Sequence, residues 1–193
     1  MKQSLGAKTI ACPSPVWCIG SYDKNNKPNI MTASWAGICC SRPPAISVSL
    51  RKATYTYQSL IDSKAFTVNI PSQHYAKEVD YIGITSGKDT DKFQVTGLTP
   101  VHSDKVNAPL VKEFPLIIEC KLIHHHEIGL HTQFVGEIVN VLADTDAISE
   151  GGKADIEKIQ PFLFSATNRT YYGIGQIIGK AFKIGRDLPN KAL

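Results

Sequence analysis

KPNIMTASWAGICCSRPPAISVSLRKATYT, residues 27–56, decides the fold. From Ala45 to Leu50 apolar and hydroxyl-bearing residues alternate strictly, the period-2 pattern of a half-buried strand. Small and β-branched residues predict another strand from Asn29 to Ala36, and Arg42, Pro43 and Pro44 break the run between the two. Arg51 and Lys52 follow at once, then Ala53, Thr54, Tyr55 and Thr56. A short helix is predicted over 54–63, with Tyr57, Leu60 and Ile61 on one face and Thr54 or Thr56 as its cap. Free backbone N–H groups at a helix start, beside two cations and three hydroxyls, make an anion site suited to phosphate. The same residues also read as a solvated basic turn with an ordinary threonine cap, and this window alone leaves both open.

Upstream, SPVWCIGSY at 14–22 predicts a strand, and the Asn-containing turn at 23–29 makes it the antiparallel neighbour of the next. Downstream, AFTVNI at 65–70 is a strand ended by Pro71. Ser72 can cap a second helix over 72–83, which places Tyr75, Val79 and Ile82 on one face and which Gly83 should stop. The polar, glycine-containing stretch 84–100 reads as a loop able to fold over a ligand. Residues 114–129 and 130–144 predict a long hairpin turning near Glu127 to Gly129, and 149–159 a polar turn with a short helix. Glycine-rich 171–190 suits no helix and is expected to wrap the surface or a partner subunit. Hairpins in place of β-α-β crossovers point to a mainly β fold with short helices, an antiparallel barrel.

The 193 residues, 42% of them hydrophobic, suffice for one domain over 1–193. A net charge of +4, spread along the chain, is not the concentrated patch of a nucleic-acid binder. No apolar run approaches the roughly 18–20 residues of a membrane span. The start of the chain lacks a clean apolar core with a cleavage site, so a cytoplasmic protein without a membrane partner is expected. Five cysteines without a C-x-x-C spacing read as reduced, small apolar residues rather than as a zinc or dithiol centre. Vicinal Cys39 and Cys40 point to opposite faces of a strand, which opposes a disulfide between them.

NIMTASWAG at 29–37, CCSRPPAISVSLRKATYT at 39–56, SGKDTDKF at 86–93, GLHTQFVGEI at 129–138 and YYGIGQIIGKAFKIG at 171–185 together resemble the flavoredoxin branch of the flavin-reductase-like proteins, the FMN-binding split barrels. The resemblance runs in order through nearly the whole chain. It implies a six-stranded Greek-key split barrel, non-covalent FMN and a homodimer with flavin sites near its interface. It also implies cofactor contacts at Asn29, Met31, Thr32, Ala33, Ser34, Trp35 and Leu50, and phosphate contacts at Arg51, Lys52, Thr54, Tyr55 and Thr56. Lys92 would approach the flavin from the loop, where positive charge near N1 stabilises the reduced ring. His131 is its candidate catalytic residue, orienting the donor or tuning the flavin. A solvated lysine and a barrel-end histidine bonded to a carbonyl are the plainer readings of those two positions.

Two other motifs carry less. GIGQIIG at 173–179 has its third glycine one residue late and no acidic residue about 20 positions on, so it is no dinucleotide fingerprint. In a strand His124 and His126 face one way and His125 the other, so at most two could hold one ion and no metal site is expected. The function expected is an electron-carrying flavoprotein, with NADH, NADPH or another redox protein as donor and a small molecule or protein as acceptor. A flavin-binding or storage module without catalysis is the alternative from another class, and rapid reduction by a nicotinamide would exclude it. An oligonucleotide-binding barrel would need a basic-aromatic strand face, which the chain lacks.

Overall fold

In the computed structural model residues 1–186 and 188 are described. The strands and helices in chain order are β1 (Ser14–Pro15), β2 (Trp17–Tyr22), β3 (Pro28–Ala33), β4 (Ala36–Ser41), β5 (Pro44–Arg51), α1 (Tyr55–Ser63) and β6 (Ala65–Ile70). They continue with α2 (Ala76–Ile84), α3 (Lys92–Thr96), β7 (Pro100–His102), β8 (Pro109–Val111), β9 (Leu116–Ile128), β10 (His131–Ala143), α4 (Ile156–Ile159), β11 (Phe162–Ser165) and β12 (Thr170–Gly173). The fold is mainly β with short helices, as the hairpin pattern predicts. No helix among the described residues is long and apolar enough to cross a membrane.

The main sheet has seven strands in the order β3-β2-β6-β9-β10-β5-β4, one more than the six expected. Every pair in it is antiparallel. Ile19, Ile46, Leu50, Leu60, Phe66 and Phe134 interlock on its inner face, each at most 2% exposed. Gly136 is required there, because a Cβ at this position would lie 2.5 Å from the Phe66 ring and 3.0 Å from Cys120 Cβ. The predicted β2–β3 hairpin is present, with Trp17 opposite Ala33 and Tyr22 opposite Pro28. So is the long β9–β10 hairpin, whose turn falls at Gly129 and Leu130.

Several expectations need correction. Residues 27–56 hold three strands, not two: β3 ends at Ala33, the chain bends at Ser34 and Trp35, and AGICCS forms β4. That strand escaped the alternation rule because it is the outer strand of the sheet, exposed along its second half and bulged at Cys39. Thr54 stands at the N-cap of α1, but its hydroxyl donates to Arg51 O at 2.8 Å instead of capping the helix. α2 runs through Gly83 to Ile84 and ends at Thr85. Gly83 serves close packing, since a Cβ there would sit 3.3 Å from the Thr32 Cβ. Ser72 caps only a short 3-10 turn over Gln73–Tyr75 that precedes α2. The stretch 84–100 contains α3, started by Asp91, whose carboxylate accepts from Gln94 N at 3.2 Å. Only Cys18 and Cys120 behave as buried apolar residues, whereas Cys12, Cys39 and Cys40 are exposed; all five are free thiols. The 171–190 segment opens with β12 and continues without a long helix to Arg186, while Asp187 and 189–193 lie outside the described residues.

Candidate functional site

β3 is the last strand at one end of the main sheet, so one of its edges is unpaired by any neighbouring strand there. Against it packs α2, tied on by Thr32, whose hydroxyl donates to Val79 O at 2.6 Å. Beside it lies the start of α1, tied on by Asn29, whose amide donates to Thr56 Oγ1 at 2.9 Å. Three cavities, of about 480, 270 and 180 Å³, open around this meeting point and share Thr32 in their walls.

The cavity of about 270 Å³ is walled by Met31 and Thr32 of β3, by Ala53, Thr54, Tyr55 and Thr56 at the start of α1, by residues 82–87, and by Lys92. None of these is acidic. The start of a nine-residue helix borders the space, where the N–H groups of Tyr55 and Thr56 have no partner within the helix. Lys92 is 5% exposed, and its Nζ donates to Ile82 O at 2.8 Å. Burial pulls this ammonium down from 10.5 to about 8, which nearby Cys18 offsets only in part. It is therefore neither a solvated lysine nor part of a loop, since it opens α3. Tyr55 holds its ring at the cavity wall by donating to Asp23 Oδ2 at 2.8 Å, and that bond pushes the phenol upward.

The cavity of about 180 Å³ is lined by Met31, Thr32, Ala33, Ser34, Trp35, Ser49, Leu50, Arg51, Thr54 and His131. His131 is opposite Arg51 in the β10–β5 ladder, and its ring stands 4.5 Å from the Trp35 ring at 43°. Trp35 O accepts from Ser49 N at 2.9 Å, which fixes the bend after β3 against β5. Thr54 borders both smaller cavities, so the helix start and Arg51 are adjacent faces of one groove.

The cavity of about 480 Å³ extends outward from Thr32, Ser34 and Trp35 to Asp80, Gly83 and Ile84 of α2, and to Phe164, Ala166, Arg169 and Tyr171 of the β11–β12 hairpin. Tyr171 donates to Asp80 Oδ1 at 2.9 Å. Burial, and then that bond, pushes its phenol up to about 12.

Most residues singled out from the sequence thus meet in one groove, but two do not line it. Asn29 is buried behind the wall, braced between Thr56 and the Gly87 backbone. Lys52 points away and pairs with Glu127 at 2.6 Å on the surface. Gly83, Thr85, Ser86, Gly87 and the β11–β12 residues were not singled out. Their one sequence signal was the SGKD string, whose glycine is the residue that lets the 86–87 turn approach Asn29 and Tyr55. The register also separates the histidine tract: His124 and His126 stack on each other, whereas His125 stacks on Phe134.

Residues 9–173 match the family described as flavin reductase like domain. The flavoredoxin of Desulfovibrio vulgaris (Miyazaki F) is 52% identical and superposes with a TM-score of 0.92 over 96% of this chain and 100% of its own. A flavoredoxin from Methanosarcina acetivorans is 28% identical, with a TM-score of 0.91 over 98% of this chain and 100% of its own. A ferric-chelate reductase (NAD(P)H) of Archaeoglobus fulgidus is 29% identical over 112 residues, 56% of this chain and 65% of the reductase.

Proposed function

Because the chain belongs to the flavin reductase-like domain family, we propose that it is an FMN-binding redox protein of the flavoredoxin kind, which carries electrons through non-covalently held FMN. The observation that carries this reading is the make-up of the cavity at the start of α1. A helix N-terminus, hydroxyl side chains and one buried ammonium face a space without a carboxylate in its wall. A phosphate monoester would accept from the helix amides and from the remaining protons of the ammonium, whereas a neutral ligand would leave that ammonium without a counter-charge.

Bound FMN would supply the hydride and electron chemistry, and the residues of this chain bind, orient and shield it. The Tyr55 and Thr56 amides and the Lys92 ammonium hold the phosphate, with Arg51 at the adjoining rim. Met31, Thr32, Ala33 and Ser34 offer backbone N–H and C=O groups to the polar edge of the isoalloxazine, and the small side chains of Ala33 and Ser34 allow close approach. Trp35, steadied by His131, shields the apolar part of the ring. His131 borders the open face and orients the electron donor. Asn29 acts one layer back, by holding α1 against β3.

The finer parts of the proposal have separate supports. NADH or NADPH as donor is supported by the resemblance to the ferric-chelate reductase (NAD(P)H). A homodimer is supported by the apolar side chains exposed on the β9–β10 hairpin, Ile128, Leu130, Val141 and Leu142. A six-stranded Greek-key barrel of β3, β2, β6, β9, β10 and β5 is supported by the core, in which Ala33 of β3 and Leu50 of β5 share one buried cluster. The exposed thiols of Cys12, Cys39 and Cys40 suit a reducing cytoplasm.

The test is anaerobic titration of the FMN-reconstituted protein with NADH and then NADPH, followed at the flavin absorbance band. Rapid bleaching is expected. A yellow protein that stays oxidised with both would refute the nicotinamide donor and leave a protein donor, and failure to bind FMN would refute the reading as a whole.

A further inference from the structure

We propose that the segment after β12 is an intermolecular arm, which docks on a second copy of this chain along the open edge of its β9–β10 hairpin. The proposal rests on the two-copy assembly put forward above and names the element that holds it together.

The arm begins after Gly173 and carries apolar side chains that nothing among the described residues covers. Ile177 is 74% exposed, Ile178 96% and Phe182 93%, whereas the same residue types at Ile19 and Phe66 are fully buried in the core. A solvated linker is poor in such residues, because exposed isoleucine and phenylalanine lose the stabilisation that burial would supply. The hydrogen bonds of the described arm residues stay within the arm: Ile184 N donates to Lys180 O at 3.1 Å and Arg186 N to Lys183 O at 2.9 Å. Its backbone is therefore not woven into its own sheet.

The same chain offers a matching surface. β6 pairs with β9 only up to Lys121, and Leu122 N is taken by Lys64 O. From His124 to Ile128, β9 is paired with β10 alone among the described residues, which leaves its outer main-chain edge open. Ile123, Ile128 and Leu130 are exposed along that stretch. An open edge accepts main-chain bonds from a segment that makes none of its own, as 174–179 makes none among the described residues, and apolar side chains beside it receive those of the arm. Arm and edge are on one sequence, so a two-fold pair of copies makes the contact twice and covers both. That self-complementarity selects a second copy over an unrelated partner.

The experiment uses the full chain, with FMN and without it. In sedimentation equilibrium the wild type is expected to be a dimer, and the double variant Ile178→Asp, Phe182→Asp to raise the dimer dissociation constant by about 30-fold or more. Ile128→Asp, on the receiving edge, should do likewise. Each variant should keep the wild-type circular dichroism, which separates a lost contact from a lost fold. A photoreactive benzoylphenylalanine at position 182 should cross-link to β9 of another chain. A monomeric wild type, a dimer indifferent to these substitutions, or cross-links confined to one chain would overturn the proposal. Dimerisation is read by mass and FMN binding by absorbance, so failure of the arm and failure of the flavin reading are told apart.

Discussion

Lys92→Met separates what the buried ammonium costs the fold from what it contributes to the ligand. The side chain is 5% exposed and meets one carbonyl, Ile82 O. Burial lowers its pKa from 10.5 to about 8. At about 1.4 kcal/mol per pH unit, this amounts to roughly 3 kcal/mol of destabilisation in the ligand-free protein at pH 7. Methionine matches the lysine stem as far as Cε and removes the charge, at the cost of the Ile82 bond, about 1 kcal/mol. The ligand-free variant should therefore be more stable at pH 7, by about 1–2 kcal/mol in urea denaturation. The pH dependence follows from the direction of the shift. Between about pH 8 and 10.5 the unfolded lysine still holds a proton that the folded one has released, so wild-type stability should rise across that window. The variant should lack this rise. FMN affinity should behave oppositely, because a phosphate favours the protonated lysine. The variant should lose about 1.5–3 kcal/mol for FMN, a charged hydrogen bond, and far less for riboflavin. Fluorescence titration with both flavins measures this. Equal losses for the two ligands would refute the phosphate assignment, and a ligand-free variant less stable than wild type at pH 7 would refute the burial argument.

Three further outcomes are expected. Arg51→Ala should weaken FMN more than riboflavin, whereas Lys52→Ala, which removes only a surface pair with Glu127, should change neither beyond about 0.5 kcal/mol; paired flavin titrations check this. Gly87→Ala should weaken both flavins and lower thermal stability by about 1–3 kcal/mol, because its Cβ would overlap Asn29 Oδ1 and lie 2.8 Å from the Tyr55 ring. Calorimetry with and without FMN reads both effects. Gly136→Ala should destabilise by a similar amount through Phe66 and Cys120 while leaving the FMN-to-riboflavin preference unchanged, which denaturation and the same titration together establish.

The residues of 27–56 made much of this legible in advance. Alternation in AISVSL sets the inward face of β5, and the Arg-Lys-Ala-Thr-Tyr-Thr run marks a helix start beside cations, because both depend on neighbours in sequence. β4 was not legible, since an exposed outer strand has no buried face to impose a period. The long hairpin was visible in its two apolar runs, although which of its edges stays open depends on where β6 stops pairing.

Local pattern thus determined most of the strands, the hairpins and a helix start beside cations, because period and capping act over a few residues. The tertiary structure alone decided which distant side chains share the groove. Thr32 meets Val79 and Asn29 meets Thr56 only when β3, α1 and α2 pack together, and Lys92 becomes a buried ammonium only because α3 presses it under the carbonyl end of α2. Burial and partnership of a charged side chain depend on what packs over it, and no run of neighbouring residues encodes that.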